Sequence, residues 1–336
     1  MSCYQPLKRF IIGTNPSTGK TEGRIFPFDT DHLEDVGGSL VACSTPTVFN
    51  KGSRVFRDYQ EIPCGYCEGC RMAHAREWSD RLLMEYTETK KALFITLTYK
   101  DENLVWSGLN PTLCKRDGQL FLKNLRKKFS DRRLRFYLAG EYGEHTLRPH
   151  MHLVVFGLSL DDFPDKEVYK VTPLGFTLYK SKIMESIWKV GYAPFSAYSY
   201  KTGAYVARYI TKKQKDSKIL YESLNVLPPY ATMSLKPGIG FDFMQRHKEE
   251  YKESNKLFIS DDTSSIEVGL PRYLRLKLEE ECPEGWLERK AVLADRKKFA
   301  EDFEMSQTDL DRQSYLDAKR QAFIQRTKKL KLSEFE

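Results

Sequence analysis

Apolar positions along the chain fall into two kinds of run. Ala92 to Tyr99, Leu134 to Gly143 and Arg148 to Gly157 are short and rich in apolar or aromatic residues, and the last two end on glycine, so they predict strands. Arg71 to Lys90 places Met72, Trp78, Leu82, Leu83 and Tyr86 on one side of a charged segment, and Gln119 to Phe129 does the same with Leu120, Phe121, Leu122, Leu125 and Phe129. Both predict amphipathic helices, the second N-capped by Asp117. Residues 182–190 read as helix, 192–200 as strand and 201–215 as helix. Neighbouring strands with helices between them predict an α+β fold, an antiparallel sheet covered by helices on one side.

The flanks differ from this centre. Residues 1–62 are rich in Gly, Pro, Ser, Thr and Asp and predict irregular structure with a few short strands, such as 9–12 and 38–42. Residues 246–336 are strongly charged, with helical spacing at 246–256 and 286–331 and a polar linker at 259–272. The expected organisation is therefore an N-terminal segment 1–62, a central domain 63–245 and a helical C-terminal region 246–336.

Charge sharpens that division. Residues 251–336 hold 17 basic and 18 acidic residues, which leaves 37 against 28 in residues 1–250. The basic excess coincides with the central runs and suits phosphate backbones. Lys123, Arg126, Lys127 and Lys128 of the predicted second helix form a face that could lie along DNA or simply be solvated. There is no 18-residue apolar run, no signal-peptide pattern and no G-x-x-x-x-G-K-[ST] nucleotide loop, so we expect an intracellular protein with no membrane partner and no helicase activity of its own.

The candidate chemistry lies in the strands. His150 and His152 are one residue apart, so in a strand their side chains leave the same face. A hairpin would return Glu141 beside them, with Glu144 as a second choice, making a His, His, carboxylate set suited to Mg²⁺ or Mn²⁺, though the ligand types also admit Zn²⁺. Tyr205, Tyr209 and Lys212 fall at i, i+4 and i+7, one stripe of a helix. A cation, two phenols and an ammonium together describe covalent phosphoryl transfer, in which a tyrosine attacks a phosphodiester polarised by the ion. Phenol ionises near pH 10, and a neighbouring ammonium favours phenolate.

These residues resemble the HUH endonucleases, and within them the rolling-circle replication initiators of microviruses, small single-stranded DNA bacteriophages. Phe94-Ile95-Thr96-Leu97-Thr98-Tyr99 is similar to the first family motif, Arg148 to Gly157 to the second, and Tyr205, Tyr209 and Lys212 to the third. Pro63 to Arg71 and Ser234 to Gly240 are similar to further segments of those initiators. The resemblance implies a five-stranded-type antiparallel sheet (HUH, ferredoxin-like or RRM-like) and His150, His152 and Glu141 as ligands of a divalent metal. It also implies Tyr205 and Tyr209 as nucleophiles assisted by Lys212. The expected activity is site-specific nicking and joining of single-stranded DNA at a viral origin through a 5′-phosphotyrosine. The expected partners are single-stranded and origin double-stranded DNA, a host helicase and a DNA polymerase in the host cytoplasm.

Cys64, Cys67 and Cys70, with His74 behind them, have spacing suited to structural Zn²⁺, with Cys3 or Cys43 as a fourth ligand; an iron–sulfur cluster or packed reduced thiols are the alternatives. Two other functional classes share the same residues. One is a non-catalytic nucleic-acid binder with an RRM-like sheet that stacks bases on Phe136 and Tyr137. The other is a Zn²⁺ hydrolase that uses the same His, His, Glu set with activated water.

Overall fold

The computed structural model describes residues 3–17, 21–44, 54–143, 146–173, 175–209, 215–254, 256–260 and 265–327. The chain divides into two compact units, one of Met1–Ala73 with Glu301–Lys329 and one containing His74–Ala300.

In the first unit, β1 (Leu7–Thr14), β2 (Thr21–Phe26), β3 (His32–Val36), β4 (Ser39–Cys43), β5 (Arg54–Phe56) and β6 (Tyr59–Ile62) form two three-stranded antiparallel sheets, in the orders β2-β1-β6 and β4-β3-β5. The sequence predicts mostly irregular chain here. The strands are hard to read because few of their side chains are buried: Phe10 in β1 and His32, Leu33 and Glu34 in β3 are the buried ones, so apolar alternation is nearly absent. Helix α1 (Glu68–Thr89) starts inside the cysteine run rather than after it.

The second unit is built on β7 (Ala92–Tyr99), β8 (Trp106–Ser107), β9 (Asn110–Pro111), α2 (Lys115–Lys128), β10 (Arg135–Tyr142), β11 (Pro149–Phe156), β12 (Glu167–Val171), β13 (Thr177–Lys180), α3 (Lys182–Ile187), β14 (Gly191–Tyr192), β15 (Phe195–Ala197), α4 (Tyr200–Tyr209), α5 (Lys215–Ser223), β16 (Tyr230–Met233) and α6 (Phe241–Ser254). After these come β17 (Leu257–Ser260), β18 (Ser265–Val268), α7 (Arg272–Glu281), α8 (Trp286–Ser306) and α9 (Arg312–Thr327). The residues expected to be a polar linker, 259–272, instead contribute to the β17–β18 hairpin, whose inward positions Leu257, Ile259 and Val268 are buried. Among the described residues no helix is long and apolar enough to cross a membrane.

The main sheet is antiparallel throughout, in the order β12-β13-β15-β7-β11-β10-β16, with β14 also pairing β7. It has eight strands where the sequence predicts a five-stranded type. The strand expected over 192–200 is split into β14 and β15 around Ala193 and Pro194, since proline cannot donate to the ladder.

Helices cover both faces, not one. On one face Phe94, Tyr137, Val154 and Phe156 meet Leu82, Leu83 and Met84 of α1, Val206 of α4, Phe243 of α6 and Leu274 of α7. On the other, Ile95, Leu97, Leu153 and Val155 meet Phe121 and Leu125 of α2 and Met184 of α3. All eight residues of β11 are buried, which is why its sequence is a continuous apolar run instead of an alternation. Each fully buried Leu, Val or Phe there contributes about 1.5–3 kcal/mol of apolar burial. Asp117 does not cap α2; it lies within the helix and accepts a hydrogen bond from the Tyr99 hydroxyl at 2.9 Å, while Cys114 occupies the N-cap.

The segment Ser234 to Gly240 is scaffold. Arg135 donates to the Pro237 carbonyl at 3.0 Å and Arg81 to that of Ile239 at 3.1 Å, while the Gly240 N–H donates to Glu85 at 2.8 Å. The buried Arg135–Glu85 pair, 2.5 Å apart, joins β10 to α1 through the same cluster.

Candidate metal and nucleophile site

Three neighbouring strands bring the site together through their register. Glu141 of β10 lies opposite His150 of β11, which lies opposite Thr98 of β7; Ala139, His152 and Thr96 form the next row. The hairpin that the spacing predicts is therefore present, and it places the carboxylate between the imidazoles. Glu141 Oε1 is 2.8 Å from His150 Nε2 and 3.1 Å from His152 Nε2.

All three are buried, Glu141 and His152 to 2% exposure and His150 to 8%. Burial alone would raise the pKa of Glu141, but hydrogen bonding and attraction from His150 and His152 outweigh it and bring the carboxyl down to about 2. The acid is ionised at any physiological pH.

The outer nitrogens are also held. His150 Nδ1 lies 3.1 Å from the Arg148 carbonyl, which can only accept, so Nδ1 donates and the neutral ring turns its Nε2 lone pair toward Glu141. His152 Nδ1 is 3.1 Å from the Thr96 hydroxyl, and Phe94 stacks on its ring with centroids 5.6 Å apart. Partners of this kind fix the tautomer and orientation of metal-binding imidazoles. Two lone pairs and a carboxylate then converge, an arrangement that a cation satisfies. In an octahedral site with bonds of about 2.1 Å, adjacent ligand atoms are ~3.0 Å apart. The observed 2.8 and 3.1 Å match that spacing.

Helix α4 packs against β10 and β11. At its start the Ser199 N–H donates to the Thr202 hydroxyl at 2.9 Å and the Thr202 N–H to the Ser199 hydroxyl at 3.2 Å, a reciprocal cap. Gly203 is needed for the close approach: a Cβ there would lie 2.6 Å from the Tyr198 hydroxyl. This seats the Tyr205 ring edge-on to His152, with centroids 5.1 Å apart at 80°, and buries it to 2% exposure. Tyr209 ends α4 one turn later. Its side chain, and Lys212 and Glu144 altogether, lie outside the described residues.

The basic residues Lys123, Arg126, Lys127 and Lys128 of α2 are exposed. Tyr137, by contrast, is fully buried against Trp78 at 4.9 Å between centroids, and helices cover both faces of the sheet, so among the described residues Tyr137 offers no RRM-like stacking platform. Thr96 and the Arg148 carbonyl are supporting groups that the sequence reading does not single out. The alternation Thr96-x-Thr98 beside His150-x-His152 is the signal that points to the former.

In the first unit, Cys64, Cys67 and Cys70 converge with Cys3, all four ligand atoms within 4.8 Å of one another. Neither Cys43 nor His74 joins them. Cys43 sits instead beside His32 and Glu34, where both ring nitrogens of buried His32 face carboxylates, Asp31 at 2.8 Å and Glu34 at 3.2 Å. The hydrogen bond to Asp31 is the main reason the His32 pKa is raised, and the trio reads as an ion-pair sandwich.

Residues 92–214, which span the triad and the tyrosine helix, match the family model of replication-associated protein ORF2. Replication-associated protein ORF2 of Spiroplasma virus 4 is 33% identical over 227 residues, 66% of this chain and 68% of that protein. The chain belongs to this family. Replication-associated protein VP4 of Bdellovibrio phage phiMH2K is 28% identical over 257 residues, 74% of this chain and 78% of its own length. Replication-associated protein ORF4 of Chlamydia phage 1 is 22% identical over 218 residues, covering 64% of this chain and 52% of that protein. No solved structure matches the chain.

Proposed function

We propose that this phage replication-associated protein is a metal-dependent, site-specific endonuclease and ligase for single-stranded DNA that initiates rolling-circle replication. The observation that carries this reading is the placement of Tyr205 on His152, so that a phenol and a convergent His, His, Glu set share one pocket.

Glu141, His150 and His152 would hold a divalent cation, Mg²⁺ or Mn²⁺ by ligand type and spacing. When bound, such an ion withdraws electron density from the scissile phosphodiester and offsets its growing charge. The phenolate oxygen of Tyr205 or Tyr209 attacks phosphorus, a tyrosyl–phosphate bond forms and the bond to the 3′ oxygen breaks. The proton lost by the phenol is balanced by the one taken up on the 3′ oxygen. Lys212 favours the phenolate and steadies the phosphate. Attack by a 3′ hydroxyl on the phosphotyrosine reverses these bond changes, which joins DNA ends without an external energy source. Two tyrosines one turn apart allow two successive cleavages.

The basic excess of residues 1–250 and the exposed cations of α2 suit binding of single-stranded and origin DNA. The sequence carries no P-loop, and this reading assigns strand separation to a host helicase and synthesis to a host polymerase, with the protein acting in the host cytoplasm.

Incubation with labelled single-stranded oligonucleotides and Mn²⁺ tests the chemistry. The expected products are a free 3′ hydroxyl fragment and a denaturant-resistant protein adduct on the 5′ fragment. Cleavage that leaves a free 5′ phosphate and no adduct would establish activated water instead, and binding without cleavage would establish a non-catalytic role.

A further inference from the structure

We infer that Cys3, Cys64, Cys67 and Cys70 bind one Zn²⁺ ion as four thiolates, and that this ion fastens together a unit made from both ends of the chain. The inference is independent of the nuclease reading.

The geometry is that of a tetrahedral sulfur site. With Zn–S bonds of about 2.3 Å, tetrahedral thiolates lie ~3.8 Å apart. Cys64 and Cys70 sulfurs are 3.9 Å apart, as are those of Cys67 and Cys3. A disulfide needs about 2.05 Å between sulfurs, so neither pair is bonded. An iron–sulfur cluster attaches its thiolates to different irons and needs a wider square of sulfurs than four atoms within 4.8 Å provide.

The backbone around the sulfurs is arranged to receive thiolate charge. The N–H groups of Tyr66 and Cys67 both donate to Cys64 Sγ, at 3.4 and 3.3 Å. Gly65, at φ +80°, makes the left-handed turn that aims both at one atom. The Cys64 N–H donates to Cys3 Sγ at 3.2 Å and the Tyr4 N–H to Cys67 Sγ at 3.4 Å. Such second contacts orient metal ligands and tune their charge. Packed reduced thiols would have no need of four N–H donors.

What the ion would hold is visible in the neighbours of the ligands. Tyr4, next to Cys3, packs on Phe323 of α9 with ring centroids 5.7 Å apart. Glu68, next to Cys67, accepts two hydrogen bonds from Arg320 of α9, each 3.0 Å. Arg312 pairs with Glu61 at 3.2 Å. The N-terminal strand segment, the start of α1 and the C-terminal helix thus meet around the four sulfurs, and β1 to β6 bury too few side chains to hold such a unit by apolar packing alone.

Metal analysis of the full chain produced in zinc-supplemented medium, combined with alkylation, tests the inference. We expect one zinc per chain, lost in C3A and C70A and kept in C43A. In Co²⁺-loaded protein we expect thiolate-to-cobalt charge-transfer absorption with tetrahedral ligand-field bands. With zinc present, alkylation should label Cys43, Cys114 and Cys282 while Cys3, Cys64, Cys67 and Cys70 react about tenfold more slowly or less; chelation should expose all seven. Should C3A or C70A fail to fold, the wild-type alkylation pattern alone decides. Full zinc retention in a soluble C3A variant, iron in place of zinc, or four sulfurs equally reactive with and without chelator would overturn the inference.

Discussion

The triad of the main sheet and the cysteine group of the first unit are both sets of metal-ligating side chains, but they are assembled in opposite ways. Glu141, His150 and His152 are placed by the ladder of β7, β11 and β10, three adjacent strands of which β11 is buried along its whole length. Their geometry follows from register and needs no ion to exist. Cys3, Cys64, Cys67 and Cys70 come from an N-terminal segment, a turn and the first turn of a helix, among strands with little buried surface. The first set is rigid and mixed N/O, fit for a hard cation that must also meet substrate; the second is all sulfur and closed, fit for an ion that only holds chain together.

Substitutions that separate the two sets have the largest expected effects. His150→Ala or His152→Ala should reduce Mn²⁺-dependent nicking below detection while leaving DNA binding and zinc content unchanged, as read by a cleavage assay beside metal analysis. Nicking at the wild-type rate in either variant would remove the triad from the chemistry. Next in size, Lys212→Ala should slow cleavage on the order of 10²-fold, the typical value of one electrostatic contact to the transition state. Single-turnover kinetics with saturating DNA would measure it.

A smaller effect is expected from the supporting groups. Thr96→Val removes the partner of His152 Nδ1 and should weaken Mn²⁺ binding by about 10- to 100-fold, measured by calorimetry, with the zinc site untouched. The smallest effect concerns pH. Glu141 has a folded pKa of about 2, below its ordinary 4.5, so its contribution to stability is complete above about pH 4.5 and is lost as pH falls toward 2. The stability difference between wild type and Glu141→Gln, read from denaturant midpoints, should shrink across that window and be constant above it.

The same contrast explains what is legible in the sequence. His150, His152 and Glu141 are near in sequence and sit on strands, so a period of two and one hairpin suffice to place them together. Tyr205 follows from helical spacing. The main sheet is legible where strands are buried and is lost at β12, β13 and β16, where exposed or half-buried side chains leave little apolar signal. Coverage of both sheet faces escapes the sequence because β7, β10 and β11 carry apolar residues on both sides, a pattern that periodicity reads as a strand without saying what packs on it. Cys3 can be named as one of two candidates, but choosing it over Cys43 requires the fold, because 61 residues separate it from Cys64.

Above all, the triad and a tyrosine of α4 must act on one phosphate. Trapping the protein–DNA adduct with Mn²⁺, digesting the protein and locating the nucleotide by mass spectrometry puts this to the test. We expect the nucleotide on Tyr205 or Tyr209, partial adduct in Tyr209→Phe through Tyr205, and none when both are phenylalanine. A nucleotide attached outside α4, or an undiminished adduct in the double variant, would refute the shared pocket.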